Sequence, residues 1–148
     1  MLPNFYKFHI VNNTGATIQF STDGANNTFT ITAVPWKFDS NGALEYGSEL
    51  TLFADPTADL TDGSSLEAAA EIDNTTNKYL GLLCRASLLT DATTSGVVDI
   101  FWEWSTDGSS GTYPSDEGDF NAEEDLEWLA NIVSDDPAED RGVNFRIE

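Results

Sequence analysis

The apolar and polar positions of this chain alternate with a period of two over much of its length. The clearest case is segment 97–105, where every even position is apolar and β-branched and aromatic residues dominate. Successive side chains of a strand point to opposite faces, so this pattern predicts a half-buried β-strand. Similar alternation predicts further strands at 6–10, 16–20, 29–34, 50–54 and 142–147. The first two are expected to form a hairpin, because the Asn-Asn-Thr-Gly sequence between them tolerates positive φ.

Some segments carry conflicting signals. Residues 66–72 favour helix by propensity, but the stretch is short and strands surround it, so both readings stay open. Residues 79–89 are ambiguous too, because their apolar side chains would line one face of either a helix or a strand. The apolar even positions favour a strand. Residues 126–133 alternate like a strand, although Asn121 and Glu124 match a capping box that would begin a helix at Ala122. We prefer the strand there. Pro35 is expected to confine its strand to an edge or a bend.

Strands at intervals of about ten residues are typical of an all-β sandwich or barrel. The 148 residues amount to one domain, and a chain of this length can bury about 70% of its unfolded surface. We therefore expect one antiparallel β-sandwich domain over residues 1–148, jelly-roll or Ig-like, with about eight strands. No apolar run reaches the roughly 20 residues of a membrane span, and the start lacks the apolar region of a signal peptide, so neither insertion nor export is expected.

The charge of the chain restricts its partners. Lys and Arg number 6 against 26 for Asp and Glu, a formal net charge of −20. Such a surface repels phosphate groups, so nucleic acids and anionic membranes are not expected partners. The acidity is compatible with solubility alone, with adaptation to high salt, or with a cationic partner surface.

Few residues are candidates for catalysis. Cys84 is the only cysteine and His9 the only histidine, which excludes an intrachain disulfide and any site with two imidazoles. The chain has no G-x-S-x-G element and no Gly-rich phosphate loop. Cys84 is expected on an apolar face, where a thiol is inert. His9 alternates with apolar residues on the first strand and is expected to be a surface or partly buried strand residue.

Glu103 is the best candidate for an acid-base hydrolase, because it stands between two tryptophans as in a sugar subsite. Strand geometry points it away from both of them, so we expect a solvated carboxylate and no enzyme. No cofactor is expected. Calcium is the ligand that the acidic loops would favour, at Asp116-Glu117-Gly118-Asp119 and at Asp135-Asp136 with Glu139-Asp140. Neither loop has EF-hand spacing.

Three motifs carry a resemblance to a known class of proteins. Residues 70–80 read A-E-I-D-N-T-T-N-K-Y-L, residues 97–108 end in W-S-T-D-G before Tyr-Pro-Ser at 113–115, and residues 5–15 end in V-N-N-T-G. Their order resembles small β-sandwich virion proteins of tailed phages, which decorate heads or belong to tails. The resemblance implies a non-enzymatic part of a virus particle and brings no catalytic residues. It also implies partners among other virion proteins, a homo-oligomer, and a location in the virion and, during assembly, in the host cytoplasm.

Aromatic anchors dominate protein interfaces, so exposed aromatic residues are the expected contacts. The candidates are Trp36, Phe101, Tyr113 and Phe120.

The alternative function is a carbohydrate-binding module or a receptor-binding tail component. That role needs a solvent-facing tryptophan. The tryptophans are Trp36, Trp102, Trp104 and Trp128.

Overall fold

The chain folds as a β-sandwich of two antiparallel sheets with five strands each. The computed structural model describes residues 1–90, 95–109, 111–134 and 140–148. The strands are β1 (Phe5–Asn13), β2 (Thr28–Phe38), β3 (Leu44–Tyr46), β4 (Leu50–Phe53), β5 (Ser65–Glu67), β6 (Ile72–Asp73), β7 (Gly81–Leu89), β8 (Gly96–Ser105), β9 (Glu127–Ser134) and β10 (Arg141–Ile147). The expected all-β sandwich is confirmed, with ten strands in place of about eight.

Two long ladders form the centre of the sandwich. The first sheet has the order β5-β1-β8-β9, with β6 also paired to β1, and the second has the order β10-β7-β2-β3, with β4 also paired to β2. The β1–β8 ladder runs from Phe5 opposite Ser105 to Asn13 opposite Val97. The β2–β7 ladder runs from Thr28 opposite Leu89 to Trp36 opposite Gly81. Both ladders join strands that are distant in sequence.

The main core lies between the two sheets. Alternation places one face of each central strand inward, and each large apolar side chain buried there contributes about 1.5–3 kcal/mol. The fully buried members include Tyr6, Phe8, Ile10, Phe29, Ile31, Leu52, Leu82, Leu88 and Ile100. The prediction that residues 79–89 form a strand with an apolar even face is confirmed by β7.

The predicted hairpin between 6–10 and 16–20 is wrong. β1 pairs with β8 on one side and with β5 and β6 on the other. Residues 16–20 leave the sheet, and Ile18 makes an isolated bridge with Leu60. Ile18 and Phe20 are buried in the main core. Long-range pairing with the extended strand β8 therefore replaces the local turn.

Pro35 lies inside a central strand, so the first of the two predicted alternatives, an edge strand, is wrong, and the second, a bend, stays a prediction. Pro35 sits between the part of β2 that pairs with β4 and the part that pairs with β3. The carbonyl oxygen of Pro35 accepts from the Gly47 N–H at 2.8 Å, on the side of β2 where β3 and β4 lie. The ring nitrogen of Pro35, which has no hydrogen to donate, faces the same side, between the two paired parts. No ladder hydrogen bond is lost, which is how a proline fits there.

The two other ambiguous segments resolve as short elements. Residues 66–72 contribute to β5 and β6. Asn121 does cap a helix, since its side chain accepts from the Glu123 N–H at 3.1 Å, but α1 (Ala122–Asp125) is a single turn. β9 begins at Glu127, directly after this turn, so the helix start at Asn121 and the strand over residues 126–133 are both confirmed.

The connection from β8 to β9 covers the outer face of the first sheet. We call residues 111–126 the strap; it contains a 3₁₀ turn at Pro114–Asp116 and α1. Phe120, Ala122 and Leu126 of the strap pack on Val11 and Phe101 in a second, smaller core. The first sheet is therefore packed on both faces around β1 and β8. The outward side chains of the second sheet are half-buried or exposed.

The close contact at the start of β8 makes a stability prediction. A Cβ on Gly96 would lie 2.3 Å from the Asn13 carbonyl oxygen and 2.5 Å from the Thr14 Cα. Gly96→Ala should therefore lower the free energy of unfolding by about 1–3 kcal/mol, because the backbone must shift. A Cβ on Gly118 would meet nothing within 4 Å, so Gly118→Ala should change stability by less than about 1 kcal/mol. Urea unfolding measures both, and equal effects would contradict this packing.

Candidate functional site

A histidine and a glutamate form a buried pair between the first sheet and the strap. The Nε2 atom of His9 lies 2.7 Å from Oε1 of Glu103, and each residue is only 2% exposed. His9 belongs to β1 and Glu103 to β8, where Glu103 points away from the core as strand geometry predicts. The expectations that Glu103 is solvated and that His9 is at the surface or partly buried are nevertheless wrong, because the strap covers that face.

The strap supplies two further hydrogen bonds to this carboxylate. The Ser115 N–H donates to Oε2 of Glu103 at 2.9 Å, and the Ser115 hydroxyl donates to Oε1 at 2.6 Å. Burial alone would raise the pKa of Glu103, but the hydrogen bonds from His9 and Ser115 outweigh it and lower that pKa. Glu103 is therefore ionised at neutral pH and holds the strap to the sheet.

A second anchor lies next to the first. The Tyr113 hydroxyl donates to Glu71, and Lys7 lies 4.4 Å from the Tyr113 ring centroid while its ammonium group is 2.7 Å from Glu67. Burial raises the pKa of Tyr113, and the bond to Glu71 adds to this. The expectation that Tyr113 is an exposed contact is wrong, since it is 3% exposed. The same holds for Phe101, which is 5% exposed in the smaller core.

This cluster offers three metal-ligating side chains whose charges are already compensated. One ligand atom each from His9, Glu67 and Glu103 lies within 4.8 Å of the others. A nitrogen and carboxylate set of this kind suits zinc. The Lys7 ammonium, however, neutralises Glu67, and His9 is bonded to Glu103. We therefore interpret the cluster as a structural network in which the Lys7 ammonium supplies the positive charge beside Glu67.

Calcium binding at the acidic loops stays a prediction. The exposed carboxylate of Asp116 accepts from the N–H groups of Gly111 and Tyr113, and these bonds lower its pKa. Asp119 in the same loop is exposed. Of the second loop, residues 135, 136 and 139 lie outside the described residues.

The order of Ser115, Glu103 and His9 differs from that of a catalytic triad. In a triad the imidazole lies between the hydroxyl and the carboxylate and takes the hydroxyl proton. Here the carboxylate lies in the middle, so the hydroxyl donates to an acceptor that is already ionised. Cys84 is 4% exposed, and burial raises its pKa to about 12, so it is a neutral thiol near pH 7. The geometry favours anchoring over nucleophile activation.

The second sheet carries an exposed apolar surface that the sequence prediction found only in part. Trp36 and Phe38 of β2 stand opposite Tyr46 and Leu44 of β3, and their own rings meet edge to face at 6.0 Å. Phe38, Leu44 and Tyr46 are 54%, 50% and 56% exposed. We call the outward surface of this sheet the open face; its apolar side chains include Val34, Trp36, Phe38, Leu44, Tyr46 and Leu83.

Trp36 is the predicted contact residue that belongs to the open face. It is half-buried, because its indole lies over Gly81, where a Cβ would be 2.5 Å from Nε1. Phe120, the fourth candidate, is half-buried in the strap, with its ring centroid 5.7 Å from that of His9. The signal for Phe38 was present in the sequence, since positions 34, 36 and 38 continue the alternation beyond Pro35.

Two tryptophans of the first sheet are also exposed. Trp104 and Trp128 are 52% and 54% exposed, whereas Trp102 is 7% exposed and donates its indole N–H to Glu127. Trp128 stands opposite Phe101 on the strap side and donates to Asp99 at 2.9 Å. Trp104 lies beside the N-terminal residues, on the face that Trp102 shares. The two exposed rings therefore do not form one platform.

The anchoring role of Glu103 predicts a pH-dependent stability difference. At neutral pH, Glu103→Gln should lower the free energy of unfolding by about 1–3 kcal/mol, because the charged acceptor of three hydrogen bonds is lost. The folded-state pKa of Glu103 lies below its ordinary value of 4.5, so its stabilisation is present above that value and disappears as pH falls through the folded-state pKa. Urea unfolding at several pH values should show the difference from wild type shrinking on acidification.

The matched control for this prediction is Glu117→Gln. Glu117 is an exposed carboxylate of the same strap, so its loss makes the same change in charge without touching the buried pair. Its effect on unfolding should be within about 0.5 kcal/mol at every pH. A difference for Glu103→Gln that stays constant with pH would contradict ionised anchoring.

Comparisons with known proteins identify no relatives of this chain. No family model matches it, and neither a curated protein nor a solved structure matches it. None of the helices in the described part of the chain has the length and apolar character to cross a membrane. The case for a function therefore rests on the residues and the geometry of the chain itself.

Proposed function

We propose that this chain is a non-enzymatic structural protein of a tailed virus particle, placed on the capsid exterior as a decoration protein or in the tail or neck. The observation that supports it most is the open face. Soluble monomers rarely expose contiguous apolar patches larger than a few hundred Å², and patches above that size mark interaction sites. Here three side chains that are half exposed or more, Phe38, Leu44 and Tyr46, lie together on one hairpin.

The fold suits a rigid part of a repeated assembly. The Glu103 and Tyr113 anchors fix the strap to the first sheet, and the main core packs the first sheet on the second, so the two sheets and the strap act as one body. A body of this kind loses little conformational freedom when it docks through its other sheet. The partners that we propose are other virion proteins and further copies of this chain, with assembly in the host cytoplasm.

The residues that carry the phage resemblance have turn-forming roles. Asn74 is buried and exchanges hydrogen bonds with the backbone of Tyr79, around Lys78 at a φ of +53°. The Ser105 hydroxyl accepts from the Gly108 N–H at 3.0 Å, where Gly108 has a φ of +69°. One turn leads into β7 and the other leaves β8. The motifs that carry the resemblance to phage proteins are therefore turn-forming residues, and none of them supplies a catalytic group to the proposed function.

Co-sedimentation with purified particles that lack this chain tests the proposed function. Wild-type protein should bind them, and Phe38→Ser with Tyr46→Ser should weaken binding by about tenfold or more, because two exposed anchors are lost. Trp128→Ser with Val133→Ser is the matched control, since these residues are 54% and 49% exposed on the other sheet. The control should bind like wild type. A wild-type protein that stays in the supernatant would count against the proposal.

A second candidate function is carbohydrate binding, as a receptor-binding tail component. It is favoured by Trp104 and Trp128, because solvent-facing indole rings can stack on sugar rings. Trp128 is held in place by its bond to Asp99, and Asn13 donates to the same carboxylate at 3.0 Å. A ring with fixed polar neighbours is the arrangement that a sugar subsite requires.

Tryptophan fluorescence in the presence of a glycan panel tests this candidate. Binding should quench the emission, and Trp128→Ala should abolish that quenching if this ring is the platform. Trp104→Ala is the parallel variant, since its ring is equally exposed at another position. Quenching that neither substitution removes would exclude both rings as the sugar site.

A further inference from the structure

We infer that the open face binds a protein surface that presents carboxylate groups beside an apolar patch. This inference rests on the proposed function and names the chemistry of the partner. It comes from the distribution of charge over the two sheets, which is very uneven for a chain of net charge −20.

The outward positions of the second sheet contain two of the six basic residues. Arg85 of β7 and Arg146 of β10 are exposed on the same side as Val34 and Leu83. Their strand neighbours on that side are polar or apolar and include no carboxylate within the described strands. These outward positions are Thr28, Thr30, Thr32, Val34, Trp36 and Phe38 of β2, Leu83, Arg85, Ser87 and Leu89 of β7, and Gly142, Asn144 and Arg146 of β10.

The two arginines flank a shallow hollow beside the aromatic hairpin. The hollow has a volume of about 480 Å³, and Val34 and Leu83 form part of its wall. Arg85 reaches across Gly142, where a Cβ would lie 3.2 Å from its Nη2 atom. Arg146 pairs with Glu148 at 3.3 Å, but its side chain remains 72% exposed. The planar guanidinium groups therefore remain accessible.

One carboxylate lies at the rim of the hollow. Glu49, in the connection between β3 and β4, lines it on the side of β2. The lining of the hollow thus combines apolar walls, two guanidinium groups and the carboxylate of Glu49, and Glu148 pairs with Arg146 beside it. Guanidinium groups bind carboxylates through paired N–H donors, so the complementary surface has an apolar side chain with acidic neighbours.

The other side of the molecule has the opposite character. The strap holds six acidic residues, Asp116, Glu117, Asp119, Glu123, Glu124 and Asp125, and the sequence has no Lys or Arg between Arg85 and Arg141. The charge of the strap lies behind two sheets, which are spaced about 10 Å apart, while the Debye length at physiological salt is about 8 Å. The local charge of the open face therefore decides which partner binds there.

A second copy of the chain fits this face less well than a different protein. Two open faces in an isologous contact would offer one carboxylate of the hollow's lining, Glu49, to the two arginines of each copy, and would bring two bodies of net charge −20 together. An acidic patch on another virion protein supplies carboxylates to both arginines. We therefore commit to a different protein as the occupant.

The test compares charge reversals with the same net charge at different positions. Arg85→Glu with Arg146→Glu should weaken co-sedimentation with purified particles lacking the chain by about tenfold or more at physiological salt. Lys78→Glu is the matched control for Arg85→Glu alone, which changes the net charge equally, because Lys78 lies in the turn before β7, off the open face, and contacts Asn4. The control should bind within about twofold of wild type.

A milder pair keeps the result interpretable if the reversal disturbs folding. Arg85→Gln with Arg146→Gln removes the charges from exposed positions, and its far-ultraviolet dichroism should match wild type. Its binding should fall between that of wild type and that of the reversal. Particle binding that survives both arginine variants would overturn the inference while the proposed function stands, and wild-type protein that does not bind particles would overturn both.

Two further readouts identify other occupants. Sedimentation equilibrium of the free protein would reveal self-association, and loss of that association in Phe38→Ser with Tyr46→Ser would assign the open face to a second copy. Flotation with phosphatidylglycerol vesicles would reveal a lipid surface if binding were lost in Arg85→Glu with Arg146→Glu. Either result would overturn an acidic protein as the partner.

Discussion

The buried carboxylate of Glu103 joins three parts of the chain that are distant in sequence. It belongs to β8, contacts His9 of β1 and accepts two hydrogen bonds from Ser115 of the strap. A buried charge is costly unless hydrogen bonds and opposite charge compensate it, so Glu103 requires the strap in place. The strap in turn buries Phe101 and Val11. Together with the Tyr113 anchor and the smaller core, this ion holds the strap on the outer side of the first sheet.

The strap covers part of the outer side of the first sheet, whereas the outward side chains of the second sheet are half-buried or exposed, and we propose that second sheet as the surface for partners. Its hairpin displays apolar side chains, and its neighbouring strands display Arg85 and Arg146 in an otherwise acidic protein. The acidic strap keeps the opposite side well hydrated. A molecule with one apolar binding face and one charged, hydrated side fits the proposed attachment to a particle surface, because it binds in one orientation and leaves the charged side in solvent.

Sequence patterns predicted the strands better than the surfaces. The even apolar positions of β7 and β8 were identified because a core face requires them, and the single turn of α1 follows from Asn121. Exposure was harder to predict. Phe101 and Tyr113 were expected on the surface but are buried: the strap, which has little periodicity of its own, packs on Phe101, and Tyr113 is a strap residue that packs on the sheet beside Lys7 and Glu71. Alternation shows which residues share a face; it does not show what covers that face.

The sequence by itself determined the all-β class, most strand positions and the strongly acidic surface, since these depend on local periodicity and composition. Only the tertiary structure decided that β1 pairs with β8, that Glu103 is buried with His9, and that Trp36 and Phe38 lie on an open face. These features depend on which distant segments pair and which loops fold back. Such choices are made by the total buried area and hydrogen bonding of the folded chain, which no short window of sequence contains.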